Sequence, residues 1–266
     1  MGTRFYSLLA MLGILLFPFP SLPEPPAKVR ITSPIKFQNR EISGEIPSSM
    51  IANLLKESLD RSAFNQNLII DQTQAITCQM LLDSKSDSFE NFEKFERIEM
   101  GEHFRNCTLL SLLQRARPST ASHLGPIGDL SDLRKISPSL LAGTYFEDGF
   151  FGFSEKDLGS WTNQGKALQS VLEKGKRKIT VDRDAGGNLQ IVAPIPGEGN
   201  LCPPYRKFFE MGRGDVTGDG VEDLIITIEE ATVTSNFAVC ALAVVTRDSP
   251  HSPYKLWKKW RWIRCA

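Results

Sequence analysis

The sequence predicts an α+β protein with a helical N-terminal half and an antiparallel β-sheet in the C-terminal half. Before residue 176, apolar residues recur every three or four positions in several segments, which is typical of amphipathic helices. From residue 178 the apolar period changes to two, which indicates strands with alternating faces. Helices that come first and strands that follow favour the α+β class over an alternating α/β fold.

We expect three regions: residues 1–27 as signal peptide and Pro-rich spacer, residues 28–176 as a mainly helical region, and residues 177–266 as an antiparallel β region. Arg4 and the twelve-residue apolar run 6–17 are typical of a secretory signal, since the run is too short to span a bilayer. An uncleaved N-terminal anchor is the alternative. Either way we expect an extracytoplasmic protein, periplasmic or secreted, with no transmembrane span beyond this signal.

Several segments of the N-terminal region have helical periodicity. Apolar residues at helical spacing predict helices over residues 48–63 and 104–117, the second terminated by Pro118. Residues 164–174 predict a third helix, which ends at Gly175. Shorter signals indicate an amphipathic stretch at 83–97 and a short helix near 130–136.

The C-terminal region contains the strand signals. Alternating residues on both sides of an Ala-Gly-Gly-Asn turn predict a hairpin over 178–193, and apolar runs predict strands at 223–230 and 237–246. The tail from residue 254 carries three Trp and five basic residues. It is either an edge strand, with its basic side chains directed outward and its Trp side chains packed inward, or a contact with an anionic envelope surface.

The loop between Gly214 and the strand at 223–230 holds the most specific chemical signal. Oxygen-bearing side chains occupy loop positions 1, 3, 5 and 9, and Gly220 occupies position 6, where the backbone turns sharply. Because Ca²⁺ binds six to eight oxygens, we predict a structural calcium site. The predicted ligands are Asp215, Thr217, Asp219, the Val221 carbonyl and Asp223. The alternative is an Asp- and Gly-rich turn without metal.

The pattern D-x-T-x-D-G-x-x-D followed by a strand resembles the FG-GAP repeat of integrin-α-type proteins and secreted bacterial proteins. Position 12, where a helix–loop–helix calcium site requires Glu, is Ile226, so that class of site is excluded. The motif occurs once, and a β-propeller requires at least four repeated blades. The resemblance therefore implies a single calcium loop rather than a propeller. Thr217 departs from the commoner Asn or Asp at position 3, and because a hydroxyl is a weaker calcium ligand we expect the low affinity of an extracellular module, with Kd of about 10⁻⁴–10⁻³ M.

Composition restricts the compartment and the partners. The 31 basic and 31 acidic residues give no net charge, so we expect no nucleic acid partner. The five cysteines have no zinc-binding spacing, and we expect two disulfides and one thiol. Cys78 with Cys107 is one plausible pair; Cys202, Cys240 and Cys265 compete for the second. The alternative is that Cys107 and Cys240 are buried thiols.

Enzymatic motifs are missing from the sequence. The three histidines have no metal-binding spacing, and there is neither a G-x-S-x-G elbow nor a Gly-rich phosphate loop. We therefore expect a non-enzymatic secreted or periplasmic protein with a binding or envelope-associated role. The alternative is an extracytoplasmic hydrolase with an unrecognised site near the aromatic segment 143–153, which otherwise fills the core.

Overall fold

An antiparallel sheet runs through both halves of the chain. The computed structural model describes residues 28–37, 40–59, 76–83, 94–141, 155–174, 180–183, 189–192, 204–232 and 238–262. Eight strands are found there: β1 Lys28–Phe37, β2 Arg40–Pro47, β3 Thr180–Arg183, β4 Leu189–Val192, β5 Pro204–Gly214, β6 Asp223–Thr232, β7 Ala238–Thr246 and β8 Lys255–Trp262. The helices are α1 Ser48–Lys56, α2 Cys78–Asp83, α3 Lys94–Arg115, α4 Glu155–Asn163 and α5 Leu168–Lys174, with 3-10 helices at Ile127–Ser131 and Pro138–Leu141.

The predicted division into a helical N-terminal half and a C-terminal sheet is wrong. Two of the strands, β1 and β2, precede the first helix and form an antiparallel pair. β1 also joins β5, through the register pairs Arg30↔Arg213 and Ile31↔Gly212. The N-terminal half therefore supplies one end of the sheet, and the strand order is β2-β1-β5-β6-β7-β8.

Strand β5 is the junction of the sheet. One of its edges pairs along its length with β6, while the other edge is shared by β4 near residues 205–208 and by β1 near residues 212–213. A register shift between Glu210 and Gly212 bends β5 between these two partners. A Cβ on Gly212 would lie 2.8 Å from the Arg30 carbonyl oxygen, so glycine permits the approach of β1.

Apolar side chains cover both faces of the central strands. On one face, Ile225 of β6 and alternate residues of β7 pack with buried residues of β1, β2 and helices α1 to α3. On the opposite face, the remaining apolar residues of β6 and β7 pack with α5 and the two 3-10 helices. Because both faces are buried, β6 and β7 are nearly continuous apolar runs rather than half-polar strands.

A disulfide links two helices on the first face. Cys78 at the start of α2 and Cys107 in α3 are bonded, with their Cα atoms 5.2 Å apart, and both are fully buried. This confirms the predicted pair. Cys240 is also disulfide-bonded, so the alternative of buried free thiols at Cys107 and Cys240 is wrong.

An ion pair lies buried near the second face. Arg206 of β5 and Glu230 of β6 are directly paired in register, and their side chains are 0% and 6% exposed. Arg206 also donates a hydrogen bond to the Leu140 carbonyl at the end of a 3-10 helix. Arg206 thus connects the sheet to the layer that covers it. Both contacts also offset the cost of burying its charge, because a buried charge is stable only when it is paired and hydrogen-bonded.

Strand β8 is the last strand of the sheet, as the edge-strand interpretation of the tail predicts. A register shift opposite Val244 and Val245 leaves Trp257 as the extra residue, and its side chain is 49% exposed. Trp260 packs against the first core. The predicted inward packing of the Trp side chains is therefore found at Trp260 and is wrong for Trp257. In the described part of the chain, no helix is both long enough and apolar enough to cross a membrane.

Candidate calcium-binding loop

The predicted loop connects β5 to β6 and is closed at its base by the sheet. The last residue of β5, Gly214, is paired in register with the first residue of β6, Asp223. The residues between them must therefore leave the sheet and return within a short loop. Thus the predicted ligands at loop positions 1 and 9 are held near each other by strand pairing.

The Asp215 carboxylate organises the backbone of the loop. One of its oxygens, Oδ1, accepts hydrogen bonds from the amides of Gly218 and Asp219 at 2.7 and 3.2 Å. The other, Oδ2, accepts from the Gly220 amide at 2.9 Å. The side chain is 1% exposed, so these three amides supply hydrogen bonds that water cannot.

The Asp223 carboxylate holds the other side of the loop. Its Oδ2 accepts hydrogen bonds from the amides of Val216 and Thr217, both at 2.8 Å. Asp223 is fully buried, and burial raises the pKa of its carboxyl, an effect opposed by the amides of Thr217 and Val216 and by the nearby hydroxyls of Thr217 and Thr246. Burial therefore disfavours the ionised form of Asp223, and a cation bound beside it would stabilise that form.

Two buried oxygens in the loop lack hydrogen bonds of ordinary geometry: Asp223 Oδ1 and Thr217 Oγ1. The Thr217 hydroxyl nevertheless lies near enough to Asp223 to lower its pKa. Leaving a buried polar oxygen without a partner costs about 1–3 kcal/mol. Both atoms belong to predicted calcium ligands, so a cation bound by them would remove this cost.

Glycines make the turn possible at two positions. Gly218 and Gly220 have φ of +80° and +85°, in the left-handed region that side chains with a Cβ disfavour. The sharp turn expected at Gly220 is thus found. A Cβ at Gly220 would also lie 3.1 Å from Thr120 Oγ1, so the adjacent segment of the same chain leaves little space for a side chain.

Of the remaining predicted ligands, Asp219 lies toward solvent and Val221 is partly buried. Asp219 is exposed, and its Oδ1 accepts a hydrogen bond from the Val221 amide at 2.8 Å. Across the described residues, no three His, Cys, Asp or Glu side chains are grouped as a metal centre. The donor chemistry fits Ca²⁺, since all five groups offer oxygen, but Asp219 would have to turn from the Val221 amide to join Asp215 and Asp223.

A segment distant in sequence lies against the loop; we call residues 116–126 the strap. The Gly220 carbonyl accepts hydrogen bonds from the Thr120 amide at 2.8 Å, the Thr120 hydroxyl at 3.0 Å and the Ala121 amide at 3.2 Å. The Arg117 amide donates to the Asp215 carbonyl, and the Glu222 amide donates to the Ala121 carbonyl. Sequence reasoning missed these contacts, because no spacing relates residues that are 100 positions apart.

Away from the loop, the structure contains a cleft of about 480 Å³ between residues 131–134 and helix α5. Its carboxylates are already engaged. Asp132 forms an ion pair with Arg134 at 2.8 Å, and Gln169 donates to Glu173 at 2.8 Å. The hydrogen bond from Arg134 lowers the pKa of Asp132, which makes this carboxyl a poor proton donor.

Neither the protein-family models, nor the curated proteins, nor the solved structures contain a match to this chain. The resemblance to the FG-GAP loop therefore rests on the loop residues alone. The aromatic segment 143–153, named with the hydrolase alternative, lies outside the described residues. That alternative stays a prediction.

Proposed function

We propose that the protein is a non-enzymatic extracytoplasmic protein with a binding or envelope-associated role, in which one Ca²⁺ ion stabilises the β5–β6 hairpin. The observation that carries the calcium site is the pair of buried oxygens without ordinary hydrogen bonds, Asp223 Oδ1 and Thr217 Oγ1, inside an all-oxygen loop. Asp215, Asp219 and the Val221 carbonyl complete the ligand set. When bound, the ion neutralises the buried carboxylates; the chain itself orients them through its amides.

A structural role for the ion follows from the position of the loop. The loop closes a hairpin whose strands lie in the centre of the sheet, and β6 is buried on both faces. Protein ligands would occupy most of the coordination shell, which leaves little room for a substrate. The ion therefore acts on stability and not on a reaction.

The disulfides support the extracytoplasmic part of the proposal. Cys78–Cys107 and the second disulfide at Cys240 are the kind of bond that persists in oxidising compartments and is rare in the cytosol. The millimolar affinity that we expect for the loop would also suit an extracellular site. Expression of the full chain followed by cell fractionation tests this part, and recovery of the reduced protein in the cytosol would contradict it.

The calcium part is tested by thermal unfolding in 10 mM Ca²⁺ and in EDTA. With Kd near 1 mM, Ca²⁺ stabilises the fold by about 1.4 kcal/mol, equivalent to about 3–5 °C in Tm. Asp223→Asn keeps an oxygen for the Val216 and Thr217 amides but removes the charge, and we expect it to abolish the calcium-dependent shift. Asp219→Ala should do the same.

Asp248→Asn is the matched control, because Asp248 is an exposed carboxylate paired with Lys255 and remote in sequence from the loop. It should retain the full shift. Equal Tm values in Ca²⁺ and EDTA for the unmodified protein, together with no heat of Ca²⁺ binding, would identify the loop as a metal-free turn.

Strand β8 supports the envelope-associated part of the proposal. Trp257 and Lys258 are exposed at the edge of the sheet, and Lys258 Nζ lies 5.0 Å from the centre of the Trp260 ring. Aromatic and basic side chains together favour an anionic interface. Sedimentation with phosphatidylglycerol vesicles, but not phosphatidylcholine vesicles, is expected, and Trp257→Ser should weaken it; equal behaviour with both lipids would oppose this role.

A further inference from the structure

We infer that calcium in the loop controls the order of the first half of the strap, so that the loop and residues 117–122 form a calcium-dependent latch. The inference rests on the proposed calcium site and concerns its regulation. It is carried by the contacts of one peptide group, that of Gly220.

The Gly220 carbonyl is the main attachment point of the strap. It accepts from the amide and the hydroxyl of Thr120 and from the Ala121 amide. The Thr120 hydroxyl bond is exposed to solvent, so water competes for it. Contacts of this kind open with little free energy and depend strongly on the placement of their acceptor.

The predicted ligands fix that acceptor from both sides. The Gly220 amide donates to Asp215 Oδ2. The residue that follows, Val221, is the one whose carbonyl is the predicted ligand. A cation held by Asp215 and Val221 would therefore immobilise the peptide groups before and after the Gly220 carbonyl. The backbone hydrogen bonds at the two ends, Arg117 to Asp215 and Glu222 to Ala121, extend the same attachment.

The second half of the strap is held by groups outside the loop. The Gly125 amide donates to the Tyr254 hydroxyl at 2.8 Å, and Arg213 donates to the Gly125 carbonyl at 3.0 Å. Arg247 donates to the His123 carbonyl at 3.0 Å. These partners belong to the sheet and to its β7–β8 connection, so this half should not respond to the ion.

Residue-resolved amide exchange of the full chain tests the latch. At a Ca²⁺ concentration ten times Kd, exchange at Thr120, Ala121 and Glu222 should slow about tenfold relative to EDTA, since opening would require loss of the ion. Exchange at Gly125 should change by less than about twofold on the same reasoning. Equal slowing at Gly125 would indicate general stabilisation and overturn the latch.

Coupling is reciprocal, so weakening the strap must weaken calcium binding. Thr120→Val keeps the side-chain volume and removes only the hydroxyl bond to Gly220. We expect its calcium Kd, measured by calorimetry, to rise about fivefold, the effect of one exposed hydrogen bond. Ser119→Ala, at the exposed neighbouring position, is the control and should leave Kd unchanged.

The outcomes separate the latch from the calcium site. If calorimetry detects no Ca²⁺ binding to the unmodified protein, the proposed function itself fails. If Ca²⁺ binds but exchange at Thr120 and Ala121 is unaffected, or Thr120→Val binds with an unchanged Kd, the calcium site stands and the latch is wrong.

Discussion

At the scale of single residues, Gly220 meets two separate requirements. Its φ of +85° disfavours any residue with a Cβ, and the space beside it is taken by the Thr120 hydroxyl. The sequence motif anticipates the first requirement, because position 6 of such loops needs a sharp turn. The second depends on a residue 100 positions earlier, which no local pattern indicates.

These two requirements predict the effect of Gly220→Ala. The left-handed conformation costs about 1–2 kcal/mol with a Cβ, and the Thr120 contact adds to it. Gly165→Ala is a control for conformation alone, since Gly165 has φ of +65° and open space around its Cβ position. Urea unfolding should show a larger loss for Gly220→Ala, and equal losses would mean that the strap contact contributes nothing.

The pKa of Asp132 gives a second prediction at this scale. The hydrogen bond from Arg134 lowers it, with smaller charge effects from Arg134 and Lys135. A carboxyl with a lowered pKa in the folded state contributes stability above its unfolded pKa, and this is lost as pH falls through the folded value. NMR titration should place Asp132 below ordinary aspartates.

Variants of Arg134 and Lys135 separate the effects of these two side chains on the pKa of Asp132. Arg134→Gln should return its pKa toward the ordinary value, while Lys135→Gln should change it less. A larger effect of Lys135→Gln would contradict the contact between Arg134 and Asp132.

At the scale of elements, the helices and strands that the sequence predicted correctly are those whose apolar residues recur with a single regular period. The β3–β4 hairpin and strands β6 and β7 agree with the predicted positions, as do α1, the C-terminal part of α3 and α5. Strand β1 was missed because Pro34 lies inside it, at a register shift where the strand departs from regular pairing. In β5, charged residues and the shift near Gly212 conceal the alternation.

The disulfide between α2 and α3 has a predictable contribution to stability. Cys78 and Cys107 are 29 residues apart, and closing a loop of that length in the unfolded chain is worth about 3–4 kcal/mol in the chain-entropy treatment. The double variant Cys78→Ala, Cys107→Ala should lose about this free energy of unfolding in urea.

Chemical reduction provides the control for the contribution of the Cys78–Cys107 disulfide. Dithiothreitol acts on both disulfides of the unmodified protein, but only on the Cys240 disulfide of the double variant. The reductant should therefore destabilise the double variant less. An equal effect on both proteins would show that Cys78–Cys107 does not contribute.

At the scale of the whole molecule, the apolar faces of the sheet join segments that the sequence seemed to separate. Ile225, Leu242 and Val244 from the C-terminal region pack in the same core as residues of β1, α1 and α3. The predicted boundary between residues 176 and 177 was placed where the period changes. A change of period marks a change of secondary structure, whereas a domain requires its own core.

This shared core predicts that residues 177–266 do not fold alone. Without β1, β2 and helices α1 to α3, one face of β6 and β7 would be exposed, at about 1.5–3 kcal/mol for each large apolar side chain. The isolated fragment should bind a hydrophobic dye and show no cooperative thermal transition. A cooperative transition matching that of the full chain would contradict the shared core.

The pairing of β1 with β5 also has a consequence for synthesis. The partners Arg30 and Arg213 are 183 positions apart (213 − 30), so the ribosome makes one long before the other. At about 5–20 residues per second, β1 waits about 10–40 s for its partner strand. During that interval the free edge of the β1–β2 hairpin could pair with other chains, and a holding chaperone would protect the nascent protein at this stage.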